Sequence, residues 1–167
     1  LSSISEIFLS PKSADFMSAD TPPSDYGPLP LAVICGASAT GLGVGRDLGR
    51  RGVSVVFADY ESFRPGFVSR YVSRNESGIV AGAEIDLIEK LVALGSRQTI
   101  KPVLFQTTDQ MVLTVAEHRE KLEQHYHIAD STRSGIADVV TDKKSFYELC
   151  VKHGVVSPRT AFPESLD

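Results

Sequence analysis

The stretch Leu31-Ala32-Val33-Ile34-Cys35-Gly36-Ala37-Ser38-Ala39-Thr40-Gly41-Leu42-Gly43-Val44-Gly45 decides how this chain folds. Its first five residues are apolar with no polar face, which reads as a strand buried on both sides, and the glycines that follow permit a sharp turn into a helix. The helical pattern continues to Gly52, after which Val53-Ser54-Val55-Val56-Phe57-Ala58 forms a second β-branched run. One βαβ unit results. A helix that starts on a glycine turn offers unpaired N–H groups and the positive end of its dipole, so the turn is suited to holding an anion.

Working outward, Ile85, Ile88, Leu91 and Val92 recur at helical spacing between Ala83 and Leu94, with Gly95 as a C′ stop. Pro102 opens a short buried strand, Val103-Leu104-Phe105-Gln106. Thr107-Thr108-Asp109 then cap a helix carrying Met111, Val112, Val115, Ala116 and Leu122. Tyr126-His127-Ile128-Ala129 adds an edge strand. Asp142 reads as the N-cap of a helix through Lys152, with Phe146, Leu149 and Cys150 on one face and Gly154 at its end. This alternation predicts an α/β fold, a Rossmann-like parallel sheet with helices on both faces. Ligands of such sheets bind at the carboxyl ends of the strands, where Gly36 to Gly43, Asp59 and Thr107 to Asp109 fall. Residues 1–30 differ, because Ser10-Pro11, Thr21-Pro22-Pro23 and Gly27-Pro28-Leu29-Pro30 interrupt every apolar pattern; they read as a flexible tail or arm. Leu1, not being an initiator Met, reads as the start of a piece and not of translation.

A chain of 167 residues with 42% apolar content can bury one sizeable core. A net charge of −4 leaves no footprint for nucleic acid or for an anionic membrane. No apolar run approaches the roughly 20 residues of a spanning helix, and the start lacks a secretory pattern. The expectation is a soluble, cytoplasmic protein with small-molecule partners, no nucleic acid and no membrane, a homodimer being left open. Cys35 and Cys150 belong to no Cys-x-x-Cys pair and read as buried thiols. His118, His125 and His127 find no carboxylate at ligand spacing nearby, and read as surface histidines. Arg64, Arg70 and Arg74, interleaved with Phe63, Phe67 and Tyr71, read as a solvated loop with aromatic anchors, and Glu117, Glu120 and Glu123 as a wet helix face.

Several chemistries compete for the glycine turn. Gly36-x-Ser38-x-x-Gly41 followed by Asp59 approaches a dinucleotide fingerprint, but Ser38 would crowd the pyrophosphate. Starting the motif at Gly41-x-Gly43 leaves Arg46 where its third glycine belongs. A phosphate loop fails because Leu42-Gly43 replaces its Lys-Ser/Thr, and a nucleophile elbow at Ser38 fails because Thr40 replaces its final glycine. A purely structural reading is that the glycines let the helix pack closely on the sheet. Asp59 is then either a ligand or a solvated loop acid.

The segment Thr141-Asp142-Lys143-Lys144-Ser145-Phe146-Tyr147, continuing to Cys150 and through Gly154-Val155 to Pro158 and Thr160, resembles the ATP-grasp superfamily, with its Asp-Lys pair opening a helix and its Gly-Val and Pro leading into a strand. Further segments resemble the carboxylate-amine ligase branch: Gly41-Leu42-Gly43-Val44 with Leu48-Gly49-Arg50-Arg51-Gly52, Ser69-Arg70-Tyr71-Val72, Pro102 to Phe105 with Thr108-Asp109, and His118-Arg119-Glu120. The resemblance covers Leu31 to Thr160. It implies that residues 31–141 form a pre-ATP-grasp domain and that residues 142–167 begin an ATP-grasp lobe. It further implies a ligase that phosphorylates a carboxylate with ATP and Mg before an amine attacks the acyl phosphate. Lys143 matches the lysine that reaches nucleotide phosphates. Gly36, Ser38, Thr40, Gly41, Gly43, Asp59, Thr108 and Asp109 form the expected substrate side. The sequence ends at Asp167, before the acidic metal ligands of that superfamily, so the expectation is a fragment inactive by itself. The alternatives are a nicotinamide-dinucleotide-binding domain of an oxidoreductase, resting on Asp59 and the imperfect fingerprint, and a regulatory or interaction domain that kept the fold alone.

Overall fold

The computed structural model describes residues 27–73, 78–133 and 135–163; most of the proline-interrupted tail, and Arg74, lie outside them. At its centre is β1 (Ala32–Cys35), and the glycine turn leads from it into α1 (Ala39–Arg50) and then β2 (Val55–Asp59). The chain continues through β3 (Ile79–Val80), α2 (Glu84–Ser96), β4 (Val103–Gln106), α3 (Asp109–Glu117), α4 (Arg119–Leu122) and β5 (His127–Ile128), and ends with α5 (Ile136–Thr141) and α6 (Lys143–Lys152). The five strands are all parallel in the order β3-β2-β1-β4-β5. This is the expected Rossmann-like α/β architecture.

Alternation along the strands divides the core between the two faces of the sheet. Val33, Cys35, Val56 and Ala58 point to one side, where α2, α3 and α4 cover them with Leu87, Ile88, Leu91, Met111, Val115 and Leu122. Ala32, Ile34, Val55 and Phe57 point to the other, where Val44 and Leu48 of α1 meet them together with Phe67 from the short 3-10 turn Pro65–Val68. Helix α1 lies close to the strands because its inner face is glycine. A Cβ on Gly45 would come within 2.5 Å of the Phe57 ring, and one on Gly49 within 2.6 Å of Tyr71. The structural reading of the glycines therefore holds for these two positions.

Three local expectations are corrected. Gly95 does not stop α2, which runs on to Ser96; its missing side chain instead makes room for the Tyr126 ring, 2.7 Å from where a Cβ would stand. Tyr126 is buried there and donates from its hydroxyl to the Leu91 carbonyl over 2.7 Å. The single helix expected from Asp109 to Leu122 breaks at His118, whose φ of −103° and ψ of 19° turn the chain. That bend carries Leu122 into the core while the Arg119 guanidinium reaches the Ala129 carbonyl and the Thr132 hydroxyl, each over 2.8 Å. Cys150 is only half-buried. Cys35 is fully enclosed, and burial, with the negative Asp59 nearby, pushes its thiol up to about 12, so it stays protonated and inert.

The aromatic anchors of the loop after β2 are Phe67, set edge-on to Phe57 at 6.4 Å between ring centres, and Tyr71 against Gly49. Phe63 is not one of them, being 81% exposed. Helix α6 packs on α5, which packs in turn on α3, but α6 itself buries no residue. Among the described residues no helix is long and apolar enough to cross a membrane.

Candidate functional site

The glycine turn is fixed from three sides. Gly36 takes a φ of +101°, which disfavours any side chain, and its N–H donates to the Ala58 carbonyl over 2.8 Å. The Thr107 hydroxyl, at the carboxyl end of β4, lies 3.0 Å from both the Cys35 and the Gly36 carbonyl oxygens. A Cβ on Gly41 would overlap the Gly36 carbonyl oxygen, so the first turn of α1 folds directly over the start of the loop. Behind the turn, the Gly66 N–H donates to the Ala37 carbonyl over 2.8 Å.

Asp59 closes this arrangement. Its Oδ2 accepts from the Ala37 N–H at 2.7 Å, and its Oδ1 accepts from the N–H groups of Tyr60 and Glu61 at 2.7 and 3.2 Å. With 6% of its surface exposed, Asp59 is not the solvated loop acid that composition allowed. Both oxygens are engaged with backbone, so the carboxylate acts as a clasp between the end of β2 and the turn after β1. The Arg64 guanidinium stands 4.0 Å from Asp59 and pairs with Glu61 at 2.6 Å, adding positive charge behind the clasp.

What faces outward is set by topology. The connection from β1 runs to one face of the sheet and the connection from β4 to the other, so the neighbouring strands β1 and β4 form the topological switch point. The starts of α1 and α3 flank it. Ser38 is the N-cap of α1, yet its hydroxyl does not bond the helix, and α1 has no acid in its first turn. Thr40 and Gly43 are exposed, Gly43 with nothing within 4 Å of where a Cβ would stand. Across the switch point, the Thr108 hydroxyl caps α3 by accepting from the Met111 N–H at 3.3 Å, and exposed Asp109 occupies the first turn. Of the eight residues expected on the substrate side, Ser38, Thr40, Gly43, Thr108 and Asp109 thus present surface, whereas Gly36, Gly41 and Asp59 are buried and shape it.

Lys143 stands apart from this group. It is the exposed first residue of α6, behind Asp142, whose carboxylate caps the helix by accepting from the Ser145 N–H at 2.7 Å. The Ser145 hydroxyl first, then the Ser145 N–H and the nearby Lys144 ammonium, hold the Asp142 carboxyl below its usual range. Among the described residues, the group of possible metal ligands that converges is Glu84, Glu117 and His118, which does not include Asp142. The described residues therefore do not assemble a magnesium–nucleotide set around Lys143.

That converging group was invisible in the sequence. Glu84 Oε1 lies 3.0 Å from His118 Nε2, and Glu84 Oε2 accepts from the buried Thr114 hydroxyl at 3.2 Å, although 34 residues separate Glu84 from His118. Tyr60 stands beside them. Burial raises its phenol most, Glu84 adds to that, and the Thr114 hydroxyl opposes it.

Comparison with protein-family models gives no match, and none of the curated proteins matches the sequence significantly. Fold and loop nonetheless define a class. The chain is a Rossmann-like α/β domain whose β1/β4 switch point is flanked by the polar starts of α1 and α3.

Proposed function

We propose that the chain is the N-terminal, substrate-side domain of an ATP-dependent carboxylate-amine ligase, and that the surface between the starts of α1 and α3 receives substrate. The observation that carries the reading is the juxtaposition of two helix starts of opposite character at the switch point. The α1 start, with Ser38 uncapped and no acid in its first turn, favours a carboxylate, while Asp109 at the α3 start favours an ammonium group. A substrate carrying both signs suits that pair. The resemblance of Asp142 to Pro158 to the ATP-grasp superfamily adds the reaction class.

In this reading, Gly36, Gly41 and Asp59 hold the turn rigid so that the Ser38 and Thr40 hydroxyls and the α1 N–H groups meet the carboxylate in one geometry. Thr108 and Asp109 hold the amine side. Lys143 meets phosphate oxygens as a point charge; a lysine at a helix start opposes the dipole, a cost relieved when an anion is near. ATP with Mg supplies the phosphoryl group that activates the carboxylate, held mainly outside this chain.

A nicotinamide-binding domain is less well supported, because Asp59 is buried and both its oxygens already accept from backbone N–H groups, which leaves it poorly placed to meet a ribose hydroxyl. Asp109 would also repel a pyrophosphate placed over the switch point. The coding sequence beyond Asp167 tests the proposal: a continuation bearing acidic residues on a sheet supports a ligase, and an immediate stop codon contradicts one. Within such an enzyme, Lys143→Ala raises the apparent KM for ATP; an unchanged KM removes Lys143 from the nucleotide site.

A further inference from the structure

Glu84, Glu117 and His118 come from two different elements, the start of α2 and the bend between α3 and α4, yet one ligand atom from each lies within 4.8 Å of the other two. We propose that these three side chains form a binding site for a divalent transition-metal ion of the zinc type. The inference is independent of the ligase reading, since it uses none of the switch-point residues.

The distances fit. A tetrahedral zinc ion holds nitrogen and oxygen ligands at about 2.0–2.2 Å, so neighbouring ligand atoms around it stand about 3.3–3.6 Å apart. Glu84 Oε1 and His118 Nε2, hydrogen-bonded at 3.0 Å, need part only slightly to take the ion between them. The imidazole favours a transition ion over magnesium or calcium, which prefer all-oxygen sets. Three protein ligands leave a fourth position for water or a small anion.

The surroundings support a built site. Thr114, 3% exposed, donates to the second oxygen of Glu84, the kind of outer contact that orients a metal-binding carboxylate. The hydroxyl oxygen of Tyr60 is sealed from solvent and lacks a well-formed hydrogen bond, though it is close enough to Thr114 and Glu84 for both to act on it. A buried hydroxyl in that condition is unusual. Access is open, because Glu117 and His118 line a cavity of about 620 Å³. Two cations on the cavity wall are already compensated: Arg119 pairs with Glu123 at 3.1 Å, and Arg133 with Asp130 at 2.9 Å. The remaining one, Lys121, is an exposed side chain on α4.

This changes the assessment of His118. Its surface reading rested on local spacing, which offers Glu117 alone from α3; the carboxylate that completes the set, Glu84, arrives from α2. His125 and His127 take no part.

The test is calorimetric titration of the tag-free, chelator-treated chain with Zn²⁺. The expected result is saturable binding of one ion per chain, weakened at least about tenfold by His118→Ala and by Glu84→Gln and left unchanged by His127→Ala. Absence of saturable binding overturns the proposal, as does binding that survives both substitutions or disappears with His127→Ala. Should either substitution disturb the fold by circular dichroism, Glu117→Gln decides, since Glu117 is exposed and its replacement leaves packing intact. Weakened binding then supports the site, and undiminished binding overturns it.

Discussion

The glycine turn and the α5–α6 hairpin carry the two motifs that speak most to function, and they are built in opposite ways. The turn is held by residues distant in sequence: Asp59 from β2, Thr107 from the end of β4 and Gly66 from the 3-10 turn after β2. Helix α6 is held by local bonds. Asp142 caps its start, Gly154 ends it with a φ of +66°, and its apolar Phe146 and Leu149 remain 48% and 39% exposed. A motif anchored by many tertiary contacts is rigid without its ligand, while one held by its caps and a single neighbouring helix opens more readily.

The sharpest way to break this contrast is to remove the clasp. Asp59→Ala leaves the buried Ala37 N–H and its neighbours without an acceptor and should cost about 3 kcal/mol in chemical denaturation. A loss near zero would mean that the turn does not depend on β2. Next in size is Gly45→Ala, which forces a methyl group into the Phe57 ring and should destabilise by about 1–3 kcal/mol. Gly43→Ala, in the same helix but facing open space, should instead stabilise by about 0.5–1 kcal/mol, as helix propensity alone dictates. Opposite signs for these two glycines would separate packing from propensity inside one helix.

The smallest effect belongs to the hairpin. The Asp142 carboxyl is held below its usual range by the Ser145 hydroxyl and N–H, so its capping contribution is complete above about pH 4 and is lost as pH falls through the lowered value. Amide exchange should show the first turn of α6 fraying in acid while the sheet stays protected. Simultaneous loss of both would mean that α6 is coupled to the core.

Legibility in the sequence follows the same division. Strands β1, β2 and β4 were readable because each is apolar on both faces, and the Thr108 and Asp142 caps because a cap is a local bond. The two-residue strands β3 and β5 lie at the edges, and only β5 was anticipated; β3 follows a loop with no period to read. Gly95 was misread because its reason, the Tyr126 ring, arrives from 31 positions away along the chain, a distance no cap rule spans. Asp59 was placed correctly at the end of β2, but nothing local to it foretold that both oxygens would be taken by backbone. The Glu84–His118 pair was hidden for the same reason.

The central claim is that the turn from Gly36 to Gly43 is a preformed wall for a small charged substrate and not a dinucleotide cradle. Backbone-amide NMR of the chain during titration with NADH and, separately, with small amino acids such as glutamate tests it most directly. The account predicts that the amides of Ala39 to Gly43 and of Asp109 respond to an amino acid and stay unmoved by NADH. Saturable shifts of the same amides at micromolar NADH, with none from any amino acid, would contradict it.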